Sequence, residues 1–179
     1  MTDRLYAPWR EDFVLGAKKK ARRGARIQEG EECIFCDPQS RRHVRELLLH
    51  EGRRAYVVLN RYPYNSGHLM VVPFRHVGRL QDLNAAERSE IMALVALSEE
   101  VLTAVQQPAA LNVGLNLGRA AGAGIDGHLH VHLVPRWVGD TNFMPALFDT
   151  RIISVDLKKV RRRLRVAFQQ ASSKPKRRR

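Results

Sequence analysis

The sequence predicts an α+β fold: an antiparallel sheet of about five strands, packed by one long helix and followed by a C-terminal helix. Three observations lead there. Segments within 46–59, 68–73, 111–117 and 128–134 are apolar or alternate with period two, as strands do. The segment 82–107 instead carries apolar residues at three- and four-residue spacing, as a helix does. Strand neighbours are joined by short polar connections, which suits antiparallel pairing.

A chain of 179 residues with 44% apolar content suffices for one domain of ordinary size with a real core. Its apolar runs stay well short of the roughly 20 residues of a membrane span. MTDRLYAPWRED lacks the basic-then-apolar layout of a signal peptide. Cys33 and Cys36 are too few for a disulfide scaffold. The expectation is a cytoplasmic protein without a membrane partner.

The net charge of +13 resembles that of a nucleic-acid binder, but it is unevenly spread. Residues 17–26 and 151–179 hold 18 of the 31 basic residues and, of the acids, only Asp156. The remainder carries 13 basic against 17 acidic residues, a net of −4. Basicity confined to two peripheral segments argues against a polynucleotide groove at the centre of the fold.

Residues 1–32 read as an N-terminal arm. Leu5, Tyr6, Trp9, Phe13 and Val14 would pack on the domain or on a second subunit, and AKKKARRGAR is a solvated basic loop. The principal domain is expected over 33–150. It begins with Cys33-Ile34-Phe35-Cys36, a spacing open to a metal knuckle, a redox pair or two buried thiols. Zinc would need two further ligands.

Glu46 to Leu59 reads as a hairpin, with Leu47–Leu49 and Tyr56–Leu59 flanking Glu51-Gly52. Asn60 to Gly67 is a loop, and His68 to Pro73 a strand ended by proline. In the long helix, Asn84 is the expected N-cap and Glu87 its capping-box partner. Ile91, Leu94, Val95, Val101, Leu102 and Val105 form a stripe assigned to core packing. Leu111 to Leu117 is a strand with Asn112, Gly114 and Asn116 on one face. Asn116 either bonds a phosphate or ribose or serves structure alone.

Next comes a glycine-rich turn, then His128, His130 and His132 alternating with Leu129, Val131 and Leu133. On a strand the three imidazoles share one face. A row of imidazoles after a glycine-rich turn suits a phosphate, which the turn's N–H groups would cradle. Trp137, Phe143 and Met144 would cover a base or close the core. Residues 151–171 are expected as a basic C-terminal helix with Leu157, Val160, Leu164 and Phe168 inward, and 172–179 as a disordered basic tail, open to a weak nucleic-acid contact.

The run His128-Leu-His130-Val-His132-Leu-Val resembles the signature of the histidine-triad (HIT) superfamily. The resemblance spans roughly Cys33 to Asp149 and includes Asn60, Gly67-His68 and Pro73-x-x-His76 in order. YAPWR and HLHVHLVPRWVGDTNF further resemble the bacterial diadenosine-tetraphosphate phosphorylase branch, near the Fhit-type dinucleotide hydrolases. This implies cleavage of a purine dinucleotide at the α-phosphorus through a nucleotidyl-histidine intermediate on His130. Inorganic phosphate or water would resolve it. His132 would bond a phosphate or leaving-group oxygen, with His128 and His68 orienting the site. Phe35 and Leu59 would sandwich the base. Asn60 would meet the ribose, and Asn116, Gly122, Ala123 and Gly124 the phosphates.

The resemblance further implies a structural zinc on Cys33, Cys36, His76 and His128, with His43 and His50 as competitors on spacing alone, no organic cofactor, and a homodimer. The phosphate loop departs from the family: from Ala120 to Ile125 it has no polar side chain, so its donors would be backbone N–H groups and the second acceptor is left open. Two alternatives stand beside this reading. One is a Hint-like nucleoside phosphoramidate or aminoacyl-adenylate hydrolase. The other is a nucleotide-binding protein whose basic tail engages nucleic acid.

Overall fold

The computed structural model describes residues 33–36, 38–39, 42–140 and 156–173. The expected arm over 1–32, the cluster residues Phe143 and Met144, and the tail from 174 lie outside the described residues. The described residues from Ile34 onward form one compact unit.

Five strands make one antiparallel sheet. They are β1 (Leu48–Glu51), β2 (Ala55–Leu59), β3 (Leu69–Pro73), β4 (Ala110–Leu115) and β5 (Val131–Arg136), in the order β1-β2-β3-β5-β4. A short helix α1 (Arg42–Arg45) precedes them. The long helix α2 (Ala85–Gln106) links β3 to β4, and α3 (Leu157–Ser173) closes the described chain. The last strand in sequence therefore lies inside the sheet, against β3.

The two faces of the sheet are both covered, as the unbroken apolar runs of β2 and β3 require. One face carries Val57, Leu59, Leu69, Val71, Val131 and Leu133 into a core shared with Ile91, Leu94 and Leu102 of α2 and Val160, Leu164 and Phe168 of α3. The expected stripe of α2 is that core face, with Val105 at its margin. Side chains two residues apart on a strand share a face, so Met70 and His132, opposite each other across β3 and β5, point the other way. Tyr56 also lies on that face, and its hydroxyl donates to the Phe35 carbonyl at 2.9 Å. This bond lays the cysteine segment over the same side.

The N-terminus of α2 is capped as predicted. Asn84 accepts from the Glu87 N–H at 2.9 Å, and the Glu87 carboxylate accepts from the Asn84 N–H at 2.8 Å. Gln107, in the left-handed region at φ 48°, ends the helix.

β4 ends at Leu115, two residues before the expected Leu117, Glu51 belongs to β1 and not to the turn, and two further boundaries also differ from expectation. Only His132 of the three histidines stands in the β5 ladder, because pairing starts at Val131; His128 and His130 approach it outside the ladder. Alternation nevertheless persists, with Leu129 in the core and the imidazoles on the other side. The C-terminal helix runs over Leu157–Ser173, two residues into the segment read as tail.

Candidate active site

The sheet order assembles the site. His68 enters β3, and His132 lies opposite Met70 on β5, so strand pairing brings two imidazoles together from positions 64 residues apart. The loop before β3 holds its shape by local bonds: Asn60 Oδ1 accepts from the Tyr62 N–H at 2.9 Å, and Asn65 O accepts from the His68 N–H at 3.1 Å. Gly67 is needed there. Its φ is +76°, and the Gln106 side chain fills the space a Cβ would take.

Hydrogen bonds assign the imidazole tautomers. The Tyr64 N–H, a donor only, reaches His68 Nδ1 at 3.0 Å. His68 Nδ1 is therefore an acceptor, and in the neutral ring the proton sits on Nε2. That Nε2–H donates to His132 Nδ1 at 2.9 Å, which places the His132 proton on its own Nε2. His132 Nε2 is buried and has no partner among the described residues. It is a donor held ready for an incoming oxygen.

Both rings stay neutral near pH 7. Burial, aided by His132 and His130, pushes His68 down to about 3, and burial with His130 beside it takes His132 to about 4. His130 is ordered independently. Its Nδ1–H donates to the His128 carbonyl at 2.8 Å, so in the neutral tautomer the lone pair is on Nε2. Its ring stands 4.8 Å from that of His132 and 5.2 Å from Phe35. In its neutral tautomer His130 therefore holds a nucleophilic nitrogen beside a fixed N–H donor, the pair that attack on a phosphorus with departure of an oxygen requires.

A second group of residues stands behind the histidine row. Cys33, Cys36, His76 and His128 offer ligand atoms that all lie within 4.8 Å of one another. Cys36 Sγ is 3.3 Å from His76 Nδ1 and 3.7 Å from His128 Nδ1. Tetrahedral zinc with its usual bond lengths sets S and N about 3.6 Å apart, so the group fits that ion. His128 is prepared for it: its Nε2–H donates to the Pro73 carbonyl at 2.8 Å, turning an unprotonated Nδ1 toward the sulfur. Burial outweighs the Pro73 bond and, with His76 and His130 nearby, lowers His128 to about 4, so the ring is in its ligating form. Four protein ligands leave no open position.

Residues 41–138 match the family model of the HIT domain. The chain belongs to the HIT family. It is 39% identical over 161 residues to an AP-4-A phosphorylase of Mycobacterium tuberculosis, covering 90% of this chain and 82% of that one. It is 35% identical over 82 residues to an asymmetrical bis(5'-nucleosyl)-tetraphosphatase of Schizosaccharomyces pombe, covering 46% of this chain and 44% of that one. Among solved structures, a Zn-bound histidine triad family protein from Mycobacterium smegmatis superposes with a TM-score of 0.58 at 26% identity, over 70% of this chain and 86% of that one.

Within this HIT site the structure brings together His68, His130, His132 and Phe35, with Asn60 at its edge, its Nδ2 3.4 Å from His68 Nδ1. It does not bring Leu59. The residue expected against the base is 1% exposed and lies in the core toward α2, because odd-numbered positions of β2 face the helices. His128, expected both among the catalytic groups and as a zinc ligand, faces the cysteines. His50 stacks on Phe168, away from the cysteines, and the His43 side chain lies outside the described residues.

The turn after β4 also differs from the expected nest. Gly122 N–H bonds the Arg119 carbonyl at 2.9 Å, and Ala123 N–H the Gly118 carbonyl at 3.4 Å. Two of the backbone donors assigned to phosphate are therefore engaged within the turn. Gly122 has φ +90°, and Asn116 Nδ2 lies 4.0 Å from where its Cβ would be, so Asn116 does sit against the turn.

Sequence reasoning missed Tyr64, whose N–H starts the imidazole relay and whose ring lies 4.7 Å from His68. It also missed Asp140, which accepts from Arg136 at 2.7 Å, Asn65 at 2.8 Å and the Trp137 N–H at 3.0 Å, tying the end of β5 to the 60–68 loop. Asn112 joins that tie through Arg136 at 2.9 Å. A carboxylate four residues after an arginine was the available signal, but its partner Asn65 lies 75 residues away.

Proposed function

We propose that this HIT protein cleaves dinucleoside polyphosphates, diadenosine tetraphosphate among them, as a phosphorylase acting through His130. The tautomer of His130, fixed by its Nδ1–H bond to the His128 carbonyl, carries the reading. His130 Nε2 attacks the α-phosphorus. An N–P bond forms, the bond to the bridging oxygen breaks, and ATP leaves with its new terminal oxygen bonded to His132 Nε2–H. An oxygen of inorganic phosphate then attacks the same phosphorus and displaces the imidazole, releasing ADP. Water in place of phosphate would release AMP. Similarity over 90% of the chain to a protein named AP-4-A phosphorylase favours phosphate as acceptor.

Phe35 would lie along the nucleotide and Asn60 near its ribose. Zinc would be held by Cys33, Cys36, His76 and His128 and would fix the approach of His128 and His130 to β5; its role is structural. A homodimer and a cytoplasmic location complete the reading.

Two assays test it. Incubation with diadenosine tetraphosphate and inorganic phosphate should give ADP plus ATP. AMP plus ATP at saturating phosphate would make the protein a hydrolase, and two ADP without phosphate would contradict α-phosphorus attack. His130→Ala should lower turnover by roughly 10³-fold or more with the circular dichroism spectrum unchanged. Retention of more than a few per cent of activity would remove His130 from the role.

A further inference from the structure

A polar cavity lies on the helical side of the sheet edge, between β1 and α3. Its volume is about 410 Å³. Arg45, Arg161, Arg165 and His50 line it together with Gln39 and Gln169. Its construction is specific. Arg161, Arg165 and Gln169 recur every four residues along one stripe of α3, beside the buried stripe of Val160, Leu164 and Phe168. Arg45, from α1, lines the same cavity. The His50 ring is set by a stack on Phe168, with centroids 5.9 Å apart and planes 17° from parallel.

Charge in this cavity is unbalanced. Three guanidinium groups face one carboxylate, that of Glu51, which already accepts from the Gln39 amide at 2.6 Å. None of the three arginines forms a salt bridge with a described residue. Like charges at i and i+4 of a helix repel, so Arg161 and Arg165 are set against each other by position. Arg161 Nε is also buried without a hydrogen-bond partner among the described residues. A buried guanidinium N–H without an acceptor is costly, and planar N–H forks match phosphate oxygens.

We propose that the cavity between β1 and α3 is a binding site for a small phosphate-bearing anion, held by Arg45, Arg161 and Arg165 and separate from the histidine site. A phosphate dianion matches the excess of two positive charges there. The anion is inorganic phosphate or pyrophosphate, or the phosphate chain of a nucleotide. Arg161 Nε–H donates to one of its oxygens, and the neighbouring forks of Arg165 and Arg45 take others. The proposal does not depend on the reaction at His130.

The test is a titration of the full-length protein at constant ionic strength, with chloride as control ion. Inorganic phosphate, pyrophosphate, ATP and a short single-stranded RNA are each added while arginine Nε–H resonances are followed by NMR. The Arg161 resonance should shift and saturate with at least one of the first three ligands. Tighter binding of phosphate or pyrophosphate identifies an inorganic anion, and tighter binding of ATP a nucleotide phosphate chain. Both R161Q/R165Q and, at an exposed position where folding is not at stake, R45Q should weaken that binding about tenfold or more. Dinucleotide cleavage should stay within twofold of wild type in both. Unchanged affinity in R45Q and in folded R161Q/R165Q would overturn the proposal, as would a shift produced by RNA alone.

Discussion

Within the candidate site, proton placement matters as much as position. His132 serves as a donor only while His68 presents an N–H to its Nδ1, and His68 does so because the Tyr64 N–H occupies its other nitrogen. Replacing His68 by alanine releases His132 to take the other tautomer. Steady-state kinetics on diadenosine tetraphosphate should then show kcat reduced roughly 10²-fold with KM changed far less, since the lost group acts in proton placement. Equal effects on kcat and KM would make His68 a packing residue. The Cys36 thiol makes a comparable residue-scale case. Cys36→Ala should abolish stoichiometric zinc in a colorimetric assay, and chelation of the wild type should lower Tm by at least about 5 °C. A protein purified with zinc that survives Cys36→Ala would refute the ligand set. The capping pair, the histidine row and the Cys-x-x-Cys were all legible in the chain, for each is a short local pattern. Tyr64 was not, because a backbone N–H has no residue type to announce it.

For an element, the instructive case is the start of α2. Asn84 and Glu87 close the capping box, and Glu87 also accepts from Arg75 at 2.7 Å and 2.9 Å. The Arg75 guanidinium, helped by the Asn84 N–H, holds the Glu87 carboxyl at about 2 against the opposing effect of burial. A carboxylate depressed in the folded state contributes fully above its unfolded value, about 4.3. The contribution is lost as pH falls from about 5 toward 2. Glu87→Ala should therefore cost roughly 1–2 kcal/mol at pH 7. Urea denaturation should show the cost shrinking as the medium is acidified through that window. Asn84→Ala should cost about 1 kcal/mol with little dependence on pH. A Glu87→Ala cost independent of pH would contradict the ion pair. Strand β5 was less legible. Its alternation was plain, but its ladder begins only at Val131, where pairing partners on β3 and β4 exist.

Among the described residues, α2 and α3 pack on one face of the sheet and the imidazoles lie on the other. Phe168 is fully buried and joins α3 to that core, with His50 stacked upon it. Phe168→Ala should destabilise the protein by roughly 3–5 kcal/mol in urea titrations. A loss below about 1 kcal/mol would mean that α3 is an appendage and not part of the core. No helix among the described residues is long and apolar enough to cross a membrane. The basic residues of α3 lie beside its buried stripe and not within the histidine site, in keeping with the peripheral charge read from composition.

What could be known from the chain alone was what short-range spacing dictates: the α+β class, the capped helix, the aliphatic and imidazole sides of the 128–133 run, and the family signature. Periods of 2 and 3.6 are properties of neighbouring residues. Tertiary structure alone decided what depends on distant partners. Leu59 went to the core because pairing with β3 turned its face toward α2. Of the two places the family resemblance offered His128, the fold put it at the cysteines, bringing together atoms 92 residues apart. The protons on His68 and His132 were placed by a backbone N–H and by pairing across β3 and β5. Spacing along a chain orients a side chain toward a face, but a hydrogen-bond partner arriving from elsewhere in the fold determines which nitrogen of an imidazole is free to react.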